Sequence, residues 1–75
     1  MNLTKAQRRY LEEINDAGVK AYNGRSQKVV KALEDAGLVE WDLDFQPHAN
    51  GTYTARVTAW LTEAGQAYME KEEAQ

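Results

Sequence analysis

The chain has 75 residues, 43% hydrophobic and 28% charged, with five Gly and one Pro, which is the composition of one small folded domain spanning residues 1–75. That length leaves no room for a second core or for the insertions that build most enzyme clefts, and the lack of Cys excludes disulfide frameworks, zinc fingers and thiol nucleophiles. The net charge of −3 is spread unevenly: residues 1–31 carry seven Lys and Arg against three Asp and Glu, a net +4, and residues 32–75 carry two against nine, a net −7.

From Leu3 to Ala17, Leu3, Ala6, Tyr10, Leu11, Ile14 and Ala17 recur at helical spacing, with Arg8, Arg9, Glu12, Asn15 and Asp16 opposite. Thr4 and Gln7 have the spacing of a capping box, and Gly18 is the stop. Glu12 and Glu13 stand four residues after Arg8 and Arg9, so these cations are read as partners on a solvated face.

A second helix is predicted from Ser26 to Ala36, with Val29, Val30, Leu33 and Ala36 inward, Asn23 or Ser26 as its cap and Gly37 as its end. Only five residues separate Gly18 from Gly24, enough for one helical turn at most. A short strand near Ala21 is the other reading of that segment.

The period then changes to two. Val39, Trp41, Leu43 and Phe45 alternate with Glu40, Asp42 and Asp44, and Tyr53, Ala55, Val57, Ala59 and Leu61 alternate with Thr54, Arg56, Thr58 and Trp60. Between them Gln46 to Thr52 is rich in turn residues, so the two strands form a hairpin. Pairing Phe45 with Tyr53 sets Leu43 opposite Ala55, Trp41 opposite Val57, and Asp42 opposite Arg56 as an exposed ion pair worth at most about 1 kcal/mol.

Thr62 caps a last helix in which Ala64, Ala67 and Tyr68 face inward and residues 70–75 fray. The predicted core is Leu3, Tyr10, Leu11, Ile14, Val29, Val30, Leu33, Leu38, Trp41, Leu43, Val57, Leu61 and Tyr68. The fold class is α+β: three helices with a two-stranded antiparallel wing-like hairpin.

This order, with the phrase Ala32-Leu33-Glu34-Asp35-Ala36-Gly37-Leu38-Val39 and then Leu61-Thr62-Glu63-Ala64-Gly65, resembles the winged helix-turn-helix domains of MarR-like and PadR-like regulators. The pattern covers Leu3 to Met69. The resemblance implies a small DNA-binding protein of bacterial or phage origin, a transcription regulator or recombination accessory factor, with the 26–36 helix in the major groove of double-stranded DNA.

On that reading Asn23, Arg25, Ser26, Gln27, Lys28 and Lys31 meet phosphates and base edges, with Lys20 beside the flanking backbone. Glu34 and Asp35 repel phosphate from the other end of the helix. The plainer reading is that these charges keep an exposed helix soluble. The wing offers only His48 and Asn50 as contacts.

A different class of function is a protein-binding module that uses Glu40, Asp42, Asp44 and Trp60 and binds no DNA. The three carboxylates on alternate positions are equally those of a solvated sheet face. A homodimer seam along the last helix, through Tyr68 and Met69, is a further candidate partner surface.

No metal-ligand spacing, phosphate-cradling Gly loop or activated nucleophile is recognisable, so neither catalysis nor a cofactor is expected. The longest apolar run is too short to span a bilayer, and Met1 to Lys5 lacks the apolar segment of an export signal, so a cytoplasmic protein that avoids membranes is expected.

Overall fold

A computed structural model describes residues 3–73. The elements run α1 (Lys5–Ala17), β1 (Val19–Asn23), a 3-10 turn (Gly24–Ser26), α2 (Gln27–Asp35), β2 (Val39–Pro47), β3 (Tyr53–Leu61) and α3 (Glu63–Glu73). Three helices and one three-stranded antiparallel sheet, ordered β1-β3-β2, make the domain α+β.

Local sequence accounts for the boundaries. Thr4 Oγ1 accepts from the Gln7 N–H at 3.1 Å while Gln7 Oε1 accepts from the Thr4 N–H at 3.0 Å, so the capping box that opens α1 is complete. At the end of α2, Gly37 has φ +80°, its N–H reaches Glu34 O at 2.8 Å, and the Leu38 N–H reaches Leu33 O at 3.0 Å. These two bonds form a Schellman closure, and Leu33 and Leu38 at its two ends are both core residues.

The segment between Gly18 and Gly24 is the short strand near Ala21 rather than a helical turn, and it pairs with β3 from Val19↔Trp60 to Asn23↔Arg56. The wing pair is therefore part of a larger sheet, with β3 in the centre. Alternation along β1 turns Lys20 and Tyr22 toward the helices and Val19, Ala21 and Asn23 to the other face.

The hairpin register corrects the expected one. Phe45 pairs with Ala55, Leu43 with Val57, Trp41 with Ala59, and Pro47 with Tyr53. β3 has its expected bounds, but β2 runs two residues further than the turn-rich composition suggested, because a five-residue loop is closed by His48 N–H to Thr52 O at 2.8 Å and Gly51 N–H to His48 O at 3.1 Å. A slip of two keeps every side chain on its expected face but changes its partner. Arg56 thus lies opposite Asp44, Asp42 lies opposite Thr58, and the Arg56 guanidinium donates to the Gln46 side-chain oxygen at 3.3 Å.

The core consists of Leu11, Ile14, Val30, Leu33, Leu38, Val39, Val57, Ala59 and Met69, with Leu3, Tyr10, Tyr22, Ala36, Trp41, Leu61 and Tyr68 packed around it. Leu43, expected inside, is 38% exposed. Two strands of nine residues are longer than the helical layer above them, so their outer halves project beyond it. The Cα radius of gyration is 13.5 Å, against roughly 11 Å for a compact chain of this length.

α3 also differs from expectation. Gly65 and Met69 are its buried residues, Tyr68 is half-buried, and Ala64 and Ala67 face solvent. Gly65 backs onto the Leu38 carbonyl, so the helix sits about one residue's rotation from the side that its alanines suggested. Residues 70–73 are helical rather than frayed, and the rest of the expected frayed tail lies outside the described residues.

Candidate nucleic-acid interface

The segment that presents Arg25 and Gln27 is held from behind by two tyrosines. Tyr10 on α1 and Tyr22 on β1 stack with ring centroids 4.7 Å apart and planes 11° from parallel. The Tyr10 hydroxyl pairs with Ser26 Oγ at 2.9 Å, and the Tyr22 hydroxyl donates to Glu13 Oε1 at 2.9 Å. Helix, strand and 3-10 turn are thereby joined through polar groups.

Burial, and then the hydrogen bond to Glu13, pushes the Tyr22 phenol above its usual range. A raised folded-state pKa favours the folded form fully at pH values below the unfolded phenol's value of about 10, and this contribution is lost as pH rises through the folded value. Lys20 Nζ lies 5.7 Å from the Tyr22 ring centroid, a cation placed over an aromatic face rather than directed outward.

Of the six residues expected on the recognition segment, Arg25, Lys28 and Lys31 are exposed and Gln27 is half-buried. Asn23 Oδ1 accepts from the Arg25 N–H at 2.9 Å and so caps the 3-10 turn. Ser26 is 8% exposed and bonded to Tyr10, which removes it from the contact surface and makes it a brace. Neither is a side-chain cap of α2, since Ser26 makes no cap bond and Asn23 caps the preceding turn.

Lys31 Nζ is 3.8 Å from Asp35 Oδ1, and both side chains are largely exposed, so the pair is worth about 1 kcal/mol or less and opens readily for a stronger anion. Arg9 Nε is 3.6 Å from Glu13 Oε2, the i,i+4 pairing that the sequence suggested. Arg8 lies in a cleft between α1 and α3, lined also by Glu12, Asp16 and Tyr68. A series of cations with the Gln27 amide among them can donate hydrogen bonds to phosphate oxygens and base edges.

The hairpin tip is internally bonded. Asn50 Oδ1 accepts from the Thr52 N–H at 3.2 Å and from Thr52 Oγ1 at 2.7 Å, and His48 Nε2 is hydrogen-bonded to Thr54 Oγ1. On the face turned away from the helices, Trp60 Nε1 donates to Glu40 Oε2 at 3.2 Å, while Asp42 and Asp44 are exposed. Met69, considered for a dimer seam, is 7% exposed and belongs to the core, while Tyr68, the other residue considered, is half-buried.

The residues that sequence reasoning missed are Leu43, Phe45 and Tyr53. They stand 38%, 62% and 67% exposed and, with Asn23, Gly24, Arg25 and Gln27, line a cleft between the hairpin and the start of α2. Strand length against helix length was the available signal, because a nine-residue strand spans about 30 Å and a nine-residue helix about 13 Å.

Comparison with protein-family models, characterised proteins and solved structures found no match to this chain. Among the described residues, no group of three or more His, Asp or Glu could hold a metal ion, and no helix is long and apolar enough to cross a membrane.

Proposed function

We propose that this chain is a small winged-helix protein that binds duplex DNA, with the N-terminal half of α2 in the major groove. The observation that carries this reading is the exposed series Arg25, Lys28 and Lys31, with Gln27 among them, at the end of α2 that adjoins the projecting hairpin. Glu34 and Asp35 occupy the other end, so the helix approaches phosphate start first. The strand β1 and the tyrosine brace support the reading by holding the 3-10 turn without a full second helix. Its biological setting, on this reading, is transcription regulation or accessory work in recombination, in a bacterium or a phage.

The test is fluorescence anisotropy with mixed-sequence duplexes of roughly 30 base pairs at low and moderate salt. Binding weakens steeply with salt, and Lys28→Ala with Lys31→Ala lowers affinity on all sequences and flattens the salt slope by about two phosphate contacts. Gln27→Ala changes sequence preference instead. Absence of binding by the wild-type protein at low salt overturns the reading and favours a protein partner on the Glu40, Asp42 and Asp44 face.

A further inference from the structure

The projecting half of the hairpin is two-faced in a way that solubility does not explain. Strands that leave a core are ordinarily polar on both sides, yet here Leu43, Phe45 and Tyr53 continue the apolar face beyond the helices while Asp42 and Asp44 hold the other. Contiguous exposed apolar faces mark interaction surfaces.

The chemistry of the opposite wall indicates the occupant. The cleft's lining places Arg25, Asn23 and Gln27 across from Phe45 and Tyr53, and Arg25 is its one charged residue among those described. The hairpin carboxylates are turned away by the strand alternation, so no like charge faces an anion entering here. Two aromatic rings across a cleft from Arg25 and the Gln27 amide fit an occupant with flat apolar surfaces and a negative backbone, which describes a nucleic-acid strand. A basic or neutral peptide has no partner for Arg25.

We propose that Leu43, Phe45 and Tyr53 form a contact surface for the sugars and an unstacked base of bound DNA, while Arg25 across the cleft holds the adjoining phosphate. The inference rests on the duplex-binding reading and adds to it a second contact whose strength does not come from charge. Because Phe and Tyr neutralise no phosphate, the hairpin's share of the affinity is independent of salt. Because a base must leave its stack to reach the rings, DNA that is already locally unpaired binds more tightly than continuous duplex.

The experiment compares the wild-type protein with Phe45→Ala/Tyr53→Ala on a mixed duplex and on the same duplex with a central unpaired stretch, over a range of salt. Both rings are exposed and lie outside the core, so the variant folds, which circular dichroism checks directly. The double variant loses affinity by about tenfold or more with the salt slope unchanged, and the wild-type preference for the unpaired stretch disappears. Phe45→Trp keeps both. Equal binding of wild type and double variant overturns the inference and leaves the duplex reading standing. Failure of the wild-type protein to bind either DNA overturns both. A wild-type dimer that the double variant dissociates, with DNA affinity unchanged, assigns the face to a second copy and overturns the inference as well.

Discussion

Gly65 and Gly37 show how two glycines of similar appearance act through different physics. A Cβ on Gly65 would stand 2.0 Å from the Leu38 carbonyl oxygen, a contact with backbone that no rotamer relieves. A Cβ on Gly37 meets nothing within 4 Å, and the only penalty is its φ of +80°. Gly37→Ala therefore costs about 1–2 kcal/mol from the left-handed backbone. Gly65→Ala costs about 3 kcal/mol, at the upper end of overpacking, because α3 must move off the Leu38 carbonyl in the turn before β2. Urea midpoints of the two variants rank them, and equal midpoints would remove the close approach at Leu38 as a constraint on the fold. Gly37 was readable as structural in the sequence, as a helix stop. Ser26 was not, since a serine beside Arg25 has the same local signature whether it faces solvent or a tyrosine hydroxyl.

Thr62 links the end of the sheet to the start of α3 and, through one hydroxyl, to the turn after α2. Its Oγ1 accepts from the Gly65 N–H at 3.0 Å and donates to Gly37 O at 2.7 Å, and its backbone N–H reaches Leu38 O at 3.1 Å. Thr4 does only the capping half of this work, at the exposed start of α1. Thr4→Ala costs about 1 kcal/mol. Thr62→Ala removes a cap and a cross-link together and costs about 2–3 kcal/mol. Thermal denaturation of both variants, with Thr62→Ser as the variant that keeps the hydroxyl, tests the difference; equal losses would mean that the bond to Gly37 contributes nothing. The cap was visible from the Thr-Glu-Ala-Gly pattern, but the bond to Gly37, 25 residues away in sequence, was not.

The domain measures 50 × 20 × 16 Å, and its length comes from the hairpin that runs past the helical layer. β3 is paired on both sides from Arg56 to Trp60 but only to β2 from Tyr53 to Ala55, where no fully buried side chain lies against it. Stability is accordingly uneven. Amide hydrogen exchange is slowest at Val57 and Ala59, at the rate of global unfolding, and faster at Gln46 and Thr54, the pair next along the hydrogen-bonded ladder from His48 and Thr52, which open locally. Uniform protection along the hairpin would show that its outer half is held as firmly as the core. A compliant arm beside the cationic start of α2 suits a surface that adapts to what it covers, which is the role proposed for Phe45 and Tyr53.

What the sequence by itself determined was whatever depends on neighbours along the chain: the helices from their 3.6-residue period, the hairpin from its alternation, the caps at Thr4 and Thr62, the stops at Gly18 and Gly37, and the face on which each strand residue lies. Tertiary structure alone decided the quantities that depend on distant segments. The register moved by two because a five-residue loop closed at His48 and Thr52, and a two-residue slip leaves every hydrophobic pattern unchanged. Ser26 turned inward because Tyr10, sixteen residues earlier, offered a hydroxyl. Leu43 and Phe45 came to the surface because an apolar residue in a strand is buried only where another layer reaches it, and the helices stop short.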